Sequence, residues 1–402
     1  MFTAGPIPSA LVAAQRTSPA GRRPRARTAG ALLAAIALGG CAQFPDEHPG
    51  TWRDQPSLEP QAGPQPSIEQ PAPPPPPPGQ PTEDVPAVPI GCIDPDPAVV
   101  ATCLDPVGAI TVLPDGRGAL VGERATGRIL RVEQDAEPVE IARVPVDRSG
   151  GGGLTGLALS PSYQEDELVY AYASVGGENQ VLRVAPGDSP KPVLTGIPKG
   201  STGNAGALLD DGRGALLVAT GDAGDRANAA NPGSLAGKVL RIDGFGAPAA
   251  GNPDPKSRVV ASGVSDPGGL CGAAETGGYW LTDRGATRDA LHRVEFGTAL
   301  GEPAWSWPDR PGVAGCAAGP ASVVVALTDA AALYALNPGP DGTFTGQPAK
   351  VMEKTYGRFS AAANGPDGLL WLGTANKSGG APVPSDDRAI RIEPPSGDTG
   401  KD

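Results

Sequence analysis

After residue 91 apolar residues come in short runs, many of them alternating with polar ones, and helical periodicity is nearly absent. One unit recurs: a Pro/Asp/Gly turn, an apolar strand, a Gly-rich turn, and a strand ending in apolar-Arg-apolar. It reads LPDGRGALVGERATGRILRV from Leu113, SPSYQEDELVYAYASVGGENQVLRV from Ser160, and LDDGRGALLVATGDAG followed by LAGKVLRI from Leu209. Further copies begin at Ala274, Ala318 (the weakest) and Gly365, so the start-to-start spacings are 47, 49, 65, 44 and 47 residues. A period of about 40–50 residues built from short strands is the signature of a β-propeller with four strands per blade. Six copies therefore predict an all-β fold, a six-bladed β-propeller over 91–396, in which a strand before Leu113 completes the last blade and closes the ring. A β-sandwich, the runner-up, leaves the regular repeat unexplained.

The third copy is the longest, and its extra residues form TGDAGDRANAANPGSLAGKVLRID, Thr220 to Asp243. An apolar run (Ala215 to Ala219) enters it as a buried strand, and Lys238-Val-Leu-Arg-Ile leaves it as a strand with polar and apolar positions alternating. Gly221 and Gly224 suit positive φ, and the side chains of Asp222 and Asp225 suit bonds to nearby backbone N–H groups. Both aspartates also carry the oxygen ligands that calcium prefers, but the turn role outweighs that one. Extra residues in one blade map to loops on one face, the usual place for ligands.

The first forty residues read as a lipoprotein signal. Arg22, Arg23, Arg25 and Arg27 form a basic region, Ala29 to Leu38 a short apolar core, and Leu38-Gly39-Gly40-Cys41 a cleavage site ending in the cysteine that is acylated. The apolar core is too short for a stable membrane span, so the expectation is export and anchoring to the membrane through lipidated Cys41. The Arg22-Arg23 pair hints weakly at twin-arginine export. Residues 41–90 are rich in Pro, with six in a row from Pro73 to Pro78, and predict a disordered, extended stalk. Residues 397–402 are left as a tail.

Charge and cysteine use narrow the class further. The chain carries a net charge of −12, and its basic residues form no cluster in the folded part, which argues against nucleic acid as a partner. Besides Cys41 there are Cys92, Cys103, Cys271 and Cys316, an even number that in an exported domain suggests two disulfides. Three pairings are open, with Cys92–Cys103 and Cys271–Cys316 the simplest.

Two segments, SGGGGLTGLALSPSYQEDELVYAYAS (Ser149 to Ser174) and TGDAGDRANAANPGSLAGKVLRID, together resemble the glucose/sorbosone dehydrogenase family. The lipobox, the Pro-rich stalk, TGIPKG (Thr195 to Gly200) and WSWPDRPGVAGCAA (Trp305 to Ala318) are similar to its LppZ-type mycobacterial lipoproteins. The resemblance implies a six-bladed propeller that binds pyrroloquinoline quinone (PQQ) and calcium and oxidises aldose sugars. It also implies a histidine general base, and at that position this chain has Gly203, within Gly203-Asn204-Ala205-Gly206. A glycine accepts no proton, and loss of a general base costs about 10²–10⁴-fold in rate. The family's Arg-Asn-Pro-x-Gly motif falls on Ser265-Asp266-Pro267-Gly268-Gly269, so an arginine is lost and a carboxylate gained where a tricarboxylate would bind. Its backbone calcium ligands fall on Gly285-Ala286, and its Gly-Arg-x-Arg motif on Gly357-Arg358 with Ser360 replacing the second arginine. By the same resemblance Asn204, Gly221, Asp222, Arg284 and Arg358 stand as candidate cofactor contacts, with Arg288 adding charge nearby.

Of the two histidines, His48 lies in the stalk and His292 within a strand, where a structural role outweighs a catalytic one. Trp305 and Trp307 share a face if extended, and core filling outweighs sugar stacking. No nucleophile elbow or phosphate loop is present, the glycines 150–153 reading as an inter-blade crossover. The expectation is an envelope propeller whose catalytic set is mostly lost, binding a glycan, a cell-wall component or an envelope protein. The competing reading is a PQQ- and calcium-dependent aldose oxidoreductase that uses Asp222 or Asp266 as its base.

Overall fold

The computed structural model describes residues 91–273, 278–319, 322–339, 343–344 and 347–395, so the expected signal, Cys41, stalk and tail lie outside the described residues. Six sheets, each with four antiparallel strands, follow one another along the chain as the six blades of a propeller. Their innermost strands are Val107–Val112, Leu154–Leu159, Gly206–Asp210, Pro267–Ala273, Val313–Ala318 and Phe359–Asn364. Each is followed outward by its next two strands in sequence, as hairpins require. Blade three gains a fifth strand, Thr298–Ala299, pairing in parallel with Val259–Ser262.

The ring closes on Val99–Ala101, which pairs antiparallel with Ala389–Ile392 as the outermost strand of blade six. A strand before Leu113 therefore does close the ring, but the one immediately before it, Val107–Val112, is the inner strand of blade one. The sequence repeat begins at the turn after each inner strand, so it is offset from the blades by one strand. Inner strands of neighbouring blades meet backbone to backbone: a Cβ on Gly108 would lie 2.1 Å from the Leu154 carbonyl oxygen. This contact keeps the axial channel narrow.

The core lies between the faces of adjacent blades. Tyr170, Tyr172, Leu216, Val218 and Leu240 are fully buried between blades two and three. Trp307 is buried and stacks on Tyr334 with centroids 5.4 Å apart, so Trp305 and Trp307 help fill the core between blades four and five. Of the three possible cysteine pairings the structure forms Cys92–Cys103 and Cys271–Cys316. The second joins the inner strands of blades four and five.

The long third-repeat loop leaves Leu216–Thr220, forms a short helix at Arg226–Ala230, and returns at Lys238–Ile242. Asp225 caps that helix, accepting from the Ala227 N–H at 2.9 Å. Two expectations change here. The left-handed turn is carried by Ala223 (φ 60°) and Gly224 (φ 78°), whereas Gly221 is required by space, its Cβ position lying 2.2 Å from the Gly203 oxygen. The polar positions of the return strand are also buried. Lys238 Nζ donates to the carbonyls of Asn228, Ala229 and Ala236 (2.6, 2.9 and 3.1 Å), and Arg241 pairs with Asp211 at 2.7 Å.

Candidate functional site

The loops that enter the inner strands and the turns that follow each second strand gather at one end of the axis. Residues at the exit of the second strand reach it from separate blades: Arg124 from blade one, Arg284 from blade four and Thr328 from blade five. With Thr155, Ala205, Pro267 and Ser360 they line a mouth of about 40 Å³. The residue just before each arginine is a buried carboxylate that fastens an entering loop. Glu123 accepts from the Asp105 N–H at 2.9 Å. Asp283 accepts from the N–H groups of Ser265 (3.0 Å) and Asp266 (2.7 Å). Burial pushes the Asp283 carboxyl up to about 6, even though those backbone donors and the Arg284 guanidinium pull it down.

The two arginines are held differently. Arg124 Nε donates to the Gly152 carbonyl at 3.1 Å and its Nη2 to that of Gly151, and among the described residues no carboxylate lies within ion-pair distance of it. Burial first, and then the neighbouring Arg284 guanidinium, lower the Arg124 pKa to about 10, with Asp266 opposing. Arg284 pairs with Asp266 at 3.2 Å, while its Nε is buried without a partner. On blade six, Arg358 pairs with Asp329 at 3.2 Å and its Nε is likewise buried and unpartnered. The hydroxyl of fully buried Tyr172 has no partner either, and burial raises its pKa.

The third-repeat loop flanks this mouth. Asp222 is buried, its Oδ1 accepts from the Gly224 N–H at 2.8 Å, and its own N–H donates to the Ser265 carbonyl at 2.8 Å. Burial, with a smaller contribution from Asp266, raises its pKa. Gly203 sits at φ 63°, and a Cβ there would lie 2.7 Å from Asp222 Oδ1. Asn204 is completely buried; its Nδ2 donates to the carbonyls of Gly150 and Gly200 and its Oδ1 accepts from the Gly200 N–H, each at 2.8 Å. That amide fixes the 150–153 crossover against the entry to blade three.

A family model described as glucose/sorbosone dehydrogenase matches residues 104–315, more than half of the chain. The chain belongs to the glucose/sorbosone dehydrogenase family. It is 28% identical over 221 residues to aldose sugar dehydrogenase YliI of Escherichia coli (strain K12), a match covering 50% of this chain and 59% of that relative's length. Among solved structures it is similar to the PQQ-bound form of aldose sugar dehydrogenase from Streptomyces coelicolor, at 30% identity and TM-score 0.68, covering 73% of this chain and 96% of that one. A glucose dehydrogenase-type oxidoreductase from Thermus thermophilus aligns at 30% identity and TM-score 0.66, over 73% of this chain and 98% of that one.

The candidate residues named from the sequence are only partly brought together here. Arg284 lines the mouth, Asp266 pairs with it, and Asp222 lies behind it, its Oδ1 2.7 Å from where a Cβ on Gly203 would sit. Gly221 is packed against Gly203. Gly285 and Ala286 lie on the turn after Arg284, where the Gly285 N–H donates to the Arg288 carbonyl at 3.0 Å. Arg288 faces Glu302 at 3.6 Å. His292 lies on the third strand of blade four, away from the axial strands, with burial lowering its pKa. Among the described residues no cluster of three or more His, Cys, Asp or Glu is arranged to hold a metal. Sequence reading missed Arg124, Asp283 and Thr328. The signal was present: each occupies the exit of the second strand in its repeat, a position visible once the repeats are superposed.

Proposed function

We propose that this chain is a ligand-binding propeller of the cell envelope, built on a sugar-dehydrogenase scaffold whose oxidative chemistry has been lost. The observation that carries the reading is Gly203: the place of the family's proton acceptor is a left-handed glycine, and the space a side chain would need is taken by the Asp222 carboxylate. A single substitution there would not restore a base.

The residues at the mouth do not fit the quinone bound by the Streptomyces relative. A volume of about 40 Å³ is far below the ~300 Å³ at which pockets for drug-sized ligands begin. Arg124 and Arg284 face a single counter-charge, Asp266, so the mouth offers at most one uncompensated positive charge against the three carboxylates of the quinone. The proposed partner is a glycan, a cell-wall component or an envelope protein. The Leu38-Gly39-Gly40-Cys41 pattern supports export and lipid anchoring, and the two disulfides agree with an oxidising compartment.

Calorimetric titration of the full chain with PQQ, with and without calcium, tests the reading alongside dye-linked oxidation of aldoses. The expected result is no calcium-dependent heat and no dye reduction; calcium-dependent binding at micromolar or tighter affinity overturns it. One observation favours the oxidoreductase alternative: Asp222 is a buried carboxylate with a raised pKa, the condition a carboxylate base needs. If dye reduction is found, its abolition in Asp222→Asn with the fold intact would assign that base.

A further inference from the structure

We propose that the axial mouth binds one small oxyanion, a carboxylate or phosphate group, between the guanidinium groups of Arg124 and Arg284. This inference rests on the reading of the propeller as a binding module and names the chemistry of its ligand.

Buried or half-buried cations are normally matched by an anion, because desolvating an unpaired charge is costly. Lys238 shows how this fold treats a cation that needs no ligand: three backbone carbonyls surround its ammonium. Arg124 has two carbonyls, no carboxylate partner among the described residues, and a second guanidinium as its neighbour. Among the described residues Asp266 is the one carboxylate paired with Arg284, so two cations share a single counter-charge at the mouth. The other nearby carboxylates are engaged elsewhere, Asp283 by the N–H groups of Ser265 and Asp266, Asp222 by that of Gly224, and Glu123 by Arg128 and the Asp105 N–H.

Donors also outnumber acceptors. Arg284 Nε is buried with no partner. Thr155 Oγ1 accepts from the Gly206 N–H at 3.0 Å, which leaves its own proton to give. Unsatisfied buried donors call for an acceptor, and two guanidinium groups suit an oxyanion through charge-assisted bonds. Size sets the limit. A mouth of about 40 Å³ is room for one acid group and not for a tricyclic ring system, which needs a pocket of ~300 Å³ or more.

The test uses the full chain, titrated calorimetrically and by thermal shift with acetate, glucuronate and inorganic phosphate, against chloride at equal ionic strength. Saturable one-to-one binding of at least one oxyanion is expected. Preference for acetate and glucuronate identifies the group as a carboxylate, and preference for phosphate as a phosphoryl group. Arg284→Gln should weaken binding about tenfold or more through loss of a charge-assisted contact. Asp266→Asn should strengthen it by releasing Arg284, a gain that a purely structural role for the arginines does not produce and one that still decides the matter if Arg284→Gln fails to fold. No saturable binding of any of the three anions, or affinities unchanged in folded Arg284→Gln and in Asp266→Asn, overturns the inference. PQQ titrated into the same preparation separates the two claims. Silence from both PQQ and the anions removes only the oxyanion site, whereas calcium-dependent quinone binding removes the binding-module reading itself.

Discussion

The same six inner strands build both ends of the axial channel, and the side chains that line the two ends differ in kind. Where the strands begin, the channel is a mouth of about 40 Å³ carrying Arg124, Arg284, Thr155 and Thr328. Where they finish, it widens to about 280 Å³ lined by Ile110, Leu157, Leu208, Leu270 and the Cys271–Cys316 bridge, with Asp210 at its rim. The loops explain the difference. Those entering the inner strands are long, such as residues 144–153 and 199–205, and their backbone groups need partners. Buried polar side chains supply them: Glu123, Asn204 and Asp283 each accept from loop N–H groups. At the far end short turns bond within themselves, as Leu113 and Gly118 do at 2.9 Å, so the flanking positions are free to be apolar. Binding chemistry thus accumulates at the end where loops already demand polar side chains.

Perturbing each end in turn sharpens this contrast. The largest effect is expected at the apolar end. Replacing Cys271 and Cys316 by serine opens a loop with a sequence separation of 45 residues, a loss of about 4 kcal/mol in the chain-entropy account, read as a lower urea midpoint with oxyanion binding unaltered. Leu208→Ala, at a side chain 6% exposed between blades two and three, should cost about 3 kcal/mol through the cavity it leaves, again without moving anion affinity. Loss of anion binding in either variant at temperatures where it remains folded would show that the two ends are coupled.

Effects at the polar end should be smaller in stability. Gly203→His places a side chain at φ 63° against Asp222, an expected loss of about 1–3 kcal/mol with no gain of aldose oxidation in the dye-linked assay. Appearance of turnover would instead show that the mouth had retained its catalytic partners. The smallest effect is a pH slope. The folded pKa of Asp283, about 6, lies above its value in an unfolded chain, so between about pH 4 and 6 the folded state holds the extra proton. Stability contributed by this group is therefore present in acid and falls as pH rises through that window, by up to about 1.4 kcal/mol per pH unit. Asp283→Asn should flatten that slope in urea titrations at pH 4, 5 and 6. An unchanged slope would mean that the carboxyl stays ionised throughout.

Much of this was legible in the chain. The period of strands and turns gives six blades because each four-stranded unit must recur to bury its faces against its neighbours. That Asp225 bonds nearby backbone N–H groups could be read from its place in a Gly-Asp turn, though the short helix it caps could not. The four domain cysteines could be read as two disulfides but not uniquely paired.

The rest was decided by closure of the ring. Val99–Ala101 becomes the outer strand of blade six only when it meets Ala389–Ile392, at the other end of the folded chain. Arg124, Arg284 and Thr328 are far apart in sequence and become neighbours because every blade sends the exit of its second strand to the same end of the axis. Lys238 is of a residue type usually found at the surface, yet it is buried because a loop folds three carbonyls around it. Sequence determines each strand and turn through interactions a few residues long; which side chains face one another across the axis depends on blades that are adjacent only once the circle is complete.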